Sequence, residues 1–487
     1  MDTASGRWVL AATIAGSSMA MLDATIVNVA LARIGEDLDA GFSALQWMTN
    51  AYTLTLAALI LLGGSLGDIF GHRRVFIVGT SWFAAASLLC AVSPTAEALI
   101  AARALQGVGA ALLTPGSLAI ISSTFRPQDR ARAIGAWSGL GGIAGAIGPF
   151  LGGWLVEGDW RLVFVVNLPL AAVVIWIVVR HVPVALPNEH PTALDVPGIA
   201  LIAVFLAGLT YALTSVGGAG SAAGAIGSAV VGVLALAGFV LVERRSSHPV
   251  IPGVVLRDRS FVATNVATIF VYAALSVFFF LFVLQLQVVS GLSPIRAGTS
   301  LLPVTALMLI LSARFGALAE RVGPRLLMTV GPLVVGTGLL WSLRIGPDSA
   351  YLTSVLPAVT LVGLGLSCTV APLTSTVLSS VPDALAGTAS GINNAIARSA
   401  GLLAIAVVPA VAGLTTGGYD DPEVFDRGFG IAMVIAATLM YTAAVISFVF
   451  ISPRRVQVDQ MSHCSISCPP PPAELASATA TGHQGAS

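Results

Sequence analysis

Apolar runs of roughly the 20 residues that an α-helix needs to cross a bilayer follow one another along the chain, divided by short polar segments. They predict helices over 9–31, 45–66, 75–93, 97–120, 132–155, 162–180, 196–216, 222–242, 261–288, 298–319, 326–344, 352–378, 385–414 and 429–451. These runs are continuous rather than alternating, which excludes a transmembrane β-barrel. The stretch 222–242 is the least typical, being rich in Gly and Ala, but it holds no charge until Glu243. The first run is too long for a secretory signal peptide and carries Asp23, so it reads as an uncleaved span.

Composition sharpens this picture. Of the 487 residues 56% are hydrophobic and only 9% charged, against roughly 25% charged in a soluble domain. Lipid must therefore be a partner. The 23 basic and 23 acidic residues cancel, and no nucleic-acid partner is expected. Every basic residue is Arg, and the missing Lys excludes a P-loop lysine, a Schiff base and a lysine nucleophile. No zinc-binding His pair, nucleophile elbow or dinucleotide fingerprint stands in a suitable context, so no enzyme, cofactor or metal centre is expected. An even number of spans puts both termini on one side. Fifteen arginines on that side against five on the other make it cytoplasmic.

Beyond Ile451 come Pro469 to Pro472 and small polar residues, which read as a disordered cytoplasmic tail over 452–487. Cys464 and Cys468, with only His463 nearby, read as free thiols, because two sulfurs and one imidazole fall short of a closed site. No disulfide framework is implied.

Two polar segments match. Gly64-Ser-Leu-Gly-Asp68-Ile-Phe-Gly71-His-Arg73 aligns without gaps on Gly316-Ala-Leu-Ala-Glu320-Arg-Val-Gly323-Pro-Arg325, 252 residues later. That offset spans eight helices, so two six-helix copies are separated by an inserted pair. The predicted organisation is a cytoplasmic N-terminus (1–8), a bundle (9–180), the inserted pair (196–242), a second bundle (261–451) and the tail. Parallel halves of this kind are a transporter arrangement.

At this point the chain resembles the major facilitator superfamily, and within it the fourteen-helix drug:proton antiporters. The 64–74 segment resembles the superfamily motif after helix 2. Leu22-Asp23-Ala-Thr-Ile-Val-Asn28-Val-Ala-Leu31 resembles the helix 1 signature, although Ala32 stands where members usually place proline. Arg103-Ala-Leu-Gln106-Gly107-Val-Gly109 is similar to the helix 4 motif, and Gly145-Ala-Ile-Gly148-Pro149-Phe-Leu-Gly152-Gly153 to the antiporter motif of helix 5. Trp160-Arg161 with Phe164, Asn167 and Pro169 is similar to the start of helix 6. The resemblance implies an all-α fold of two six-helix bundles plus two helices. It also implies a monomer in the bacterial inner membrane that exports amphipathic antibiotics, dyes or secondary metabolites against a proton gradient. A metabolite uniporter or symporter is the alternative within the fold; a receptor or embedded enzyme is the alternative outside it.

Several side chains are candidates for this work. A carboxylate in hydrocarbon is costly and usually faces a cavity or a partner. Asp23 lies about 12 Å below the outer end of helix 1 and Arg103 about 9 Å below that of helix 4, at 1.5 Å per residue. They are candidates for proton coupling, or for a static ion pair. Gln46 and Asn50 are one turn apart and either line a cavity or bond a neighbouring helix. Asn394, Arg398, Tyr272 and Gln285 are further cavity candidates. Arg398 would neutralise an acidic substrate or anchor a helix, and the aromatic run of helix 9 (Phe270, Tyr272, Phe278, Phe279, Phe280) would line a drug cavity or face lipid. Gly141, Gly145, Gly148 and Gly152 form a stripe without side chains, broken by Pro149, and Gly153 follows. It predicts close helix approach, and the resemblance makes it a pivot. Asp68 with Gly71, Arg73 and Arg74 reads as a gate latch through arginines or a helix N-terminus, with Glu320 and Arg325 as its counterpart. Asp420, Asp421, Glu423 and Asp426 read as an ordinary charged outer loop.

Overall fold

The computed structural model describes residues 4–125, 127–183, 196–216, 221–246, 253–347, 349–382, 385–414 and 421–452. They form α1 (Ala4–Asp37), α2 (Phe42–Phe70), α3 (His72–Ala91), α4 (Ala96–Thr124), α5 (Pro127–Gly158) and α6 (Leu162–His181). Next come α7 (Val196–Val216), α8 (Ala222–Arg245) and α9 (Arg259–Leu284), which ends in a π turn over Gln285–Val289. A short helix, Pro294–Thr299, leads into α10 (Leu302–Val322). α11 (Pro324–Trp341), α12 (Leu356–Ser379), α13 (Ala386–Val411) and α14 (Pro422–Phe450) complete the fold. Among the described residues twelve helices are long and apolar enough to span a bilayer, and α2, bent near Leu61, makes a thirteenth. α5 has 32 residues. The clearest difference from the hydropathy pattern is α1, whose 34 residues overrun 9–31 at both ends. Backbone hydrogen bonding continues past the edge of the apolar run, so polar ends such as Arg33 and Glu36 stay helical.

The packing repeats. α1 lies against α5 and α6, α2 and α3 against α4, and α3 against α6. Eight helices on, α9 lies against α13 and α14, α10 and α11 against α12, and α11 against α14. The turns between α2 and α3 and between α10 and α11 have nearly one backbone shape, Gly71 at φ 90° and ψ 127°, Gly323 at φ 87° and ψ 150°. Only glycine occupies that region without strain. Gly71→Ala is expected to cost about 1–3 kcal/mol, read as a lower melting temperature of the detergent-solubilised protein, while Gly64→Ala, whose added Cβ meets nothing closer than 3.8 Å, is tolerated.

The two halves meet along two seams, α5 against α10 and α2 against α13. The inserted pair closes on itself where Gly208 meets the Ser228 carbonyl and the Gly232 backbone. α7 then lies across the α2–α13 seam, where Ala57, Ala58, Leu206 and Leu402 make a small core of their own.

The main core is at the arginine-poor end. Here one cluster runs through both halves, with the Phe42 ring 5.9 Å from Phe280 and 6.3 Å from Phe425. Gln46 Nε2 donates to the Ile405 carbonyl at 2.8 Å and Gln287 Nε2 to the Val29 carbonyl at 3.0 Å, each bond crossing between halves. At the arginine-rich end the core divides, one part around Val9, Ile121 and Ile177, the other around Phe261, Leu373 and Ile392. The molecule is closed at one end and parted at the other.

Candidate functional site

Asp23 and Arg103 meet in the first half, with 0% and 1% of their surface exposed. Arg103 Nη1 donates to Asp23 Oδ2. The other carboxylate oxygen accepts from Gln106 Nε2 at 2.8 Å and Asn167 Nδ2 at 3.0 Å. Arg103 also donates to Gln106 Oε1 at 2.6 Å and, through Nε, to the Met48 carbonyl at 3.1 Å, and its guanidinium lies 4.3 Å from the Tyr52 ring centroid. Ser87 Oγ accepts from Gln106 at 2.7 Å and Asn167 at 3.3 Å. Five helices, α1, α2, α3, α4 and α6, thus converge on one carboxylate. Removing each ion from water costs several kcal/mol, and charge-assisted hydrogen bonds offset that cost. Chemically, the arrangement can take up a proton. A protonated Asp23 would free one arm of Arg103, whose charge would keep Gln106, the Met48 carbonyl and the Tyr52 ring as partners.

The α5 glycines lie against helices on two sides. A Cβ on Gly148 would fall 1.9 Å from Thr25 Oγ1, and one on Gly152 3.1 Å from Ile26 Cα, both on α1. On the other side a Cβ on Gly153 would fall 2.5 Å from Ile295 Cα, and one on Gly298 2.1 Å from the Pro149 carbonyl oxygen. This contact closes the α5–α10 seam at the arginine-poor end. The packing of Gly141 and Gly145 is outside the described residues.

At the parted end, Asp68 Oδ1 is 3.2 Å from His72 Nε2. Arg73 donates to the Val179 carbonyl of α6 at 2.7 Å, and Arg325 lies 4.5 Å over the Phe448 ring of α14. Each of these repeat-related arginines therefore grips the last helix of its own half. The arginine latch is corrected here: Asp68 pairs with His72, and Arg74 is exposed. With the halves parted, Arg73 and Arg325 have their partners within their own bundles. The side chain of Glu320 is outside the described residues.

A family model described as the Major Facilitator Superfamily matches residues 13–406. The chain belongs to the major facilitator superfamily. It is 33% identical over 477 residues to the puromycin resistance protein of Streptomyces alboniger, covering 94% of each. It is 36% identical over 408 residues to the tetracenomycin C resistance and export protein of Streptomyces glaucescens, covering 82% of this chain and 74% of that one. Among solved structures, the POT family transporter PepTSo superposes with a TM-score of 0.65 at 16% identity, covering 91% and 97%. A bacterial homologue of the human lysosomal transporter Spinster gives 0.65 at 16%, covering 93% and 99%. These structures share the fold. The protein is thus a multi-pass membrane transporter of small molecules.

In this superfamily member the remaining candidates divide. Arg398 is half-buried. Asn394, one turn nearer the parted end, is exposed. Gln46 and Gln285 are corrections to the cavity reading. Gln46 bonds α2 to α13, and Gln285 Nε2 donates to the Ile345 carbonyl at 2.9 Å and to Asp426 Oδ1. Asn50 is fully buried, with neither amide atom bonded. Of the aromatic run of α9, Phe278 and Phe280 take neither predicted role, being buried in the closed core, while Phe270, Tyr272 and Phe279 are half-buried. Asp421 caps α14 by accepting from the Glu423 and Val424 amides at 2.9 and 3.3 Å. Asp420, His463, Cys464 and Cys468 lie outside the described residues.

Gln106, Asn167 and Ser87 are the members of the Asp23 cluster that the site reading did not single out. Gln106 stands one turn after Arg103, a spacing that could have flagged it. Gln106→Leu removes one hydrogen bond from each of Asp23, Arg103, Ser87 and Cys90, at about 1 kcal/mol per bond. A lower melting temperature and at least a roughly tenfold loss of transport are expected, measured in detergent and in everted vesicles.

Proposed function

We propose that the protein is a proton-driven exporter of amphipathic organic compounds of the antibiotic, dye or secondary-metabolite kind, and not an enzyme. The observation that carries this reading is the buried Asp23–Arg103 pair, fully hydrogen-bonded in a molecule parted only at its arginine-rich end. By the positive-inside rule that end is cytoplasmic, which puts both termini there, in the inner membrane of a bacterium. In this state both Asp23 oxygens are held by donors, and the parted end accepts a compound from the cytoplasmic side. Closing that end and parting the other releases the compound and lets an external proton reach Asp23. Relatives named for resistance to puromycin and for export of tetracenomycin C support the direction of transport. The protein works as a monomer, each chain holding both halves and the coupling pair.

Everted membrane vesicles, acidified inside by respiration, should accumulate a fluorescent dye only when the protein is present, and lose it when a protonophore collapses the gradient. Accumulation insensitive to the protonophore identifies a uniporter; accumulation that requires the opposite gradient identifies a symporter.

A further inference from the structure

The charges within the spans leave one cation over. Among the described residues Asp23 is the carboxylate set deep in a span, and Arg103 answers it. Arg314 is exposed near the end of α10, where a long side chain reaches the interface. Arg398 lies 12 residues into α13, about 18 Å along the helix at 1.5 Å per residue. No hydrogen bond or ion pair from it is found among the described residues. The contrast with the other arginines is informative. Arg103 uses its donors on Asp23, Gln106 and Met48, and Arg73 holds a backbone carbonyl. An arginine that anchored α13 would do the same. Arg398 instead keeps its donors free.

Its placement says where they are free to act. Ala395, three residues before it and on the same face, packs on the core of the opposite half. Asn394, one turn away, is exposed, with its Nδ2 spent on the Ser390 carbonyl at 3.1 Å and its Oδ1 unused. Tyr272 of α9 is half-buried and approaches α13 one turn further on, where its carbonyl oxygen is 3.8 Å from a Cβ placed on Gly401. Arg398 therefore lies on the face of α13 turned to the opposite half, above the parted end. With Asp23 and Arg103 cancelling, this region carries one net positive charge. A planar fork of N–H donors fits a carboxylate or phenolate through paired hydrogen bonds.

We propose that Arg398 is the counter-ion of the transported molecule, and that the cavity selects amphipathic aromatic compounds bearing an anionic group. This inference rests on the exporter reading and narrows its substrate class. Half-buried Tyr272 stands on the side of the aromatic body, and Arg398 takes the acid.

Two xanthene dyes of similar shape and opposite charge, fluorescein and rhodamine 123, test this on the purified full-length protein in detergent, with affinity read by fluorescence anisotropy. The wild type should bind fluorescein more tightly than rhodamine 123. Arg398→Gln should weaken fluorescein about tenfold or more and tighten rhodamine 123, while Arg398→Lys keeps the preference for the anion. Equal weakening of both dyes by Arg398→Gln would mark the residue as structural and overturn the proposal, as would a wild type that prefers the cation. Binding is measured without a gradient, so it decides the role of Arg398 even if vesicle transport fails and the exporter reading falls.

Discussion

Asp23→Asn is expected to bring gradient-driven accumulation down to the level of vesicles lacking the protein. The substitution keeps the shape of the side chain and removes the one carboxylate in the buried cluster. It also leaves Arg103 charged and without its counter-ion, at a cost of about 3–5 kcal/mol, so the melting temperature should fall as well. The double variant Asp23→Asn/Arg103→Gln separates the two effects. With both charges gone the stranded cation disappears, and most of the lost stability should return while accumulation stays at background. A double variant that melts near the wild type and still drives accumulation would reduce the pair to a packing device.

The second large effect is expected at the closed end. A Cβ on Gly298 would fall 2.1 Å from the Pro149 carbonyl oxygen, and that neighbour is backbone, so it has no rotamer to move into. Gly298→Val should therefore wedge α10 away from α5 and disfavour the state described above. Transport should fall by roughly a hundredfold, as about 3 kcal/mol of bias toward one state would produce. The displaced equilibrium is visible directly. In a background with Cys464 and Cys468 replaced by Ser, a Phe42→Cys reporter should resist a membrane-impermeant maleimide with Gly298 in place and react with it once Val is introduced. Unchanged labelling together with normal transport would mean that the seam closes elsewhere.

The spans were legible because the bilayer imposes a length and a polarity that the chain must satisfy along its whole course. The Asp23–Arg103 meeting was legible for a related reason: two charges at similar depth in hydrocarbon have few other ways to be neutral. The repeat could be read from glycines, since a positive φ restricts residue choice on both copies alike. Uncharged amides were harder. Gln46 and Gln285 end on backbone carbonyls of distant helices, acceptors that every residue carries and that no side-chain pattern marks. The α9 phenylalanines were ambiguous because lipid, drug and core are equally apolar, and only three-dimensional neighbours distinguish them. Asp68 depended on the conformational state. Paired with His72 while the halves are parted, it has a partner that a one-state reading of the segment does not reveal.

The α7–α8 hairpin makes the transporter one-sided toward its lipids. An ordinary pair of six-helix halves presents two equivalent seams to the bilayer. Here α7 bridges the α2–α13 seam, packed on both sides through the Ala57, Ala58, Leu206 and Leu402 cluster, while among the described residues no helix lies across the α5–α10 seam in the same way. That second seam is pinched shut near Pro149 and Gly298. Among the described residues one seam is thus covered by protein and the other left to lipid, so the two lateral approaches are unequal for a hydrophobic compound dissolved in the membrane.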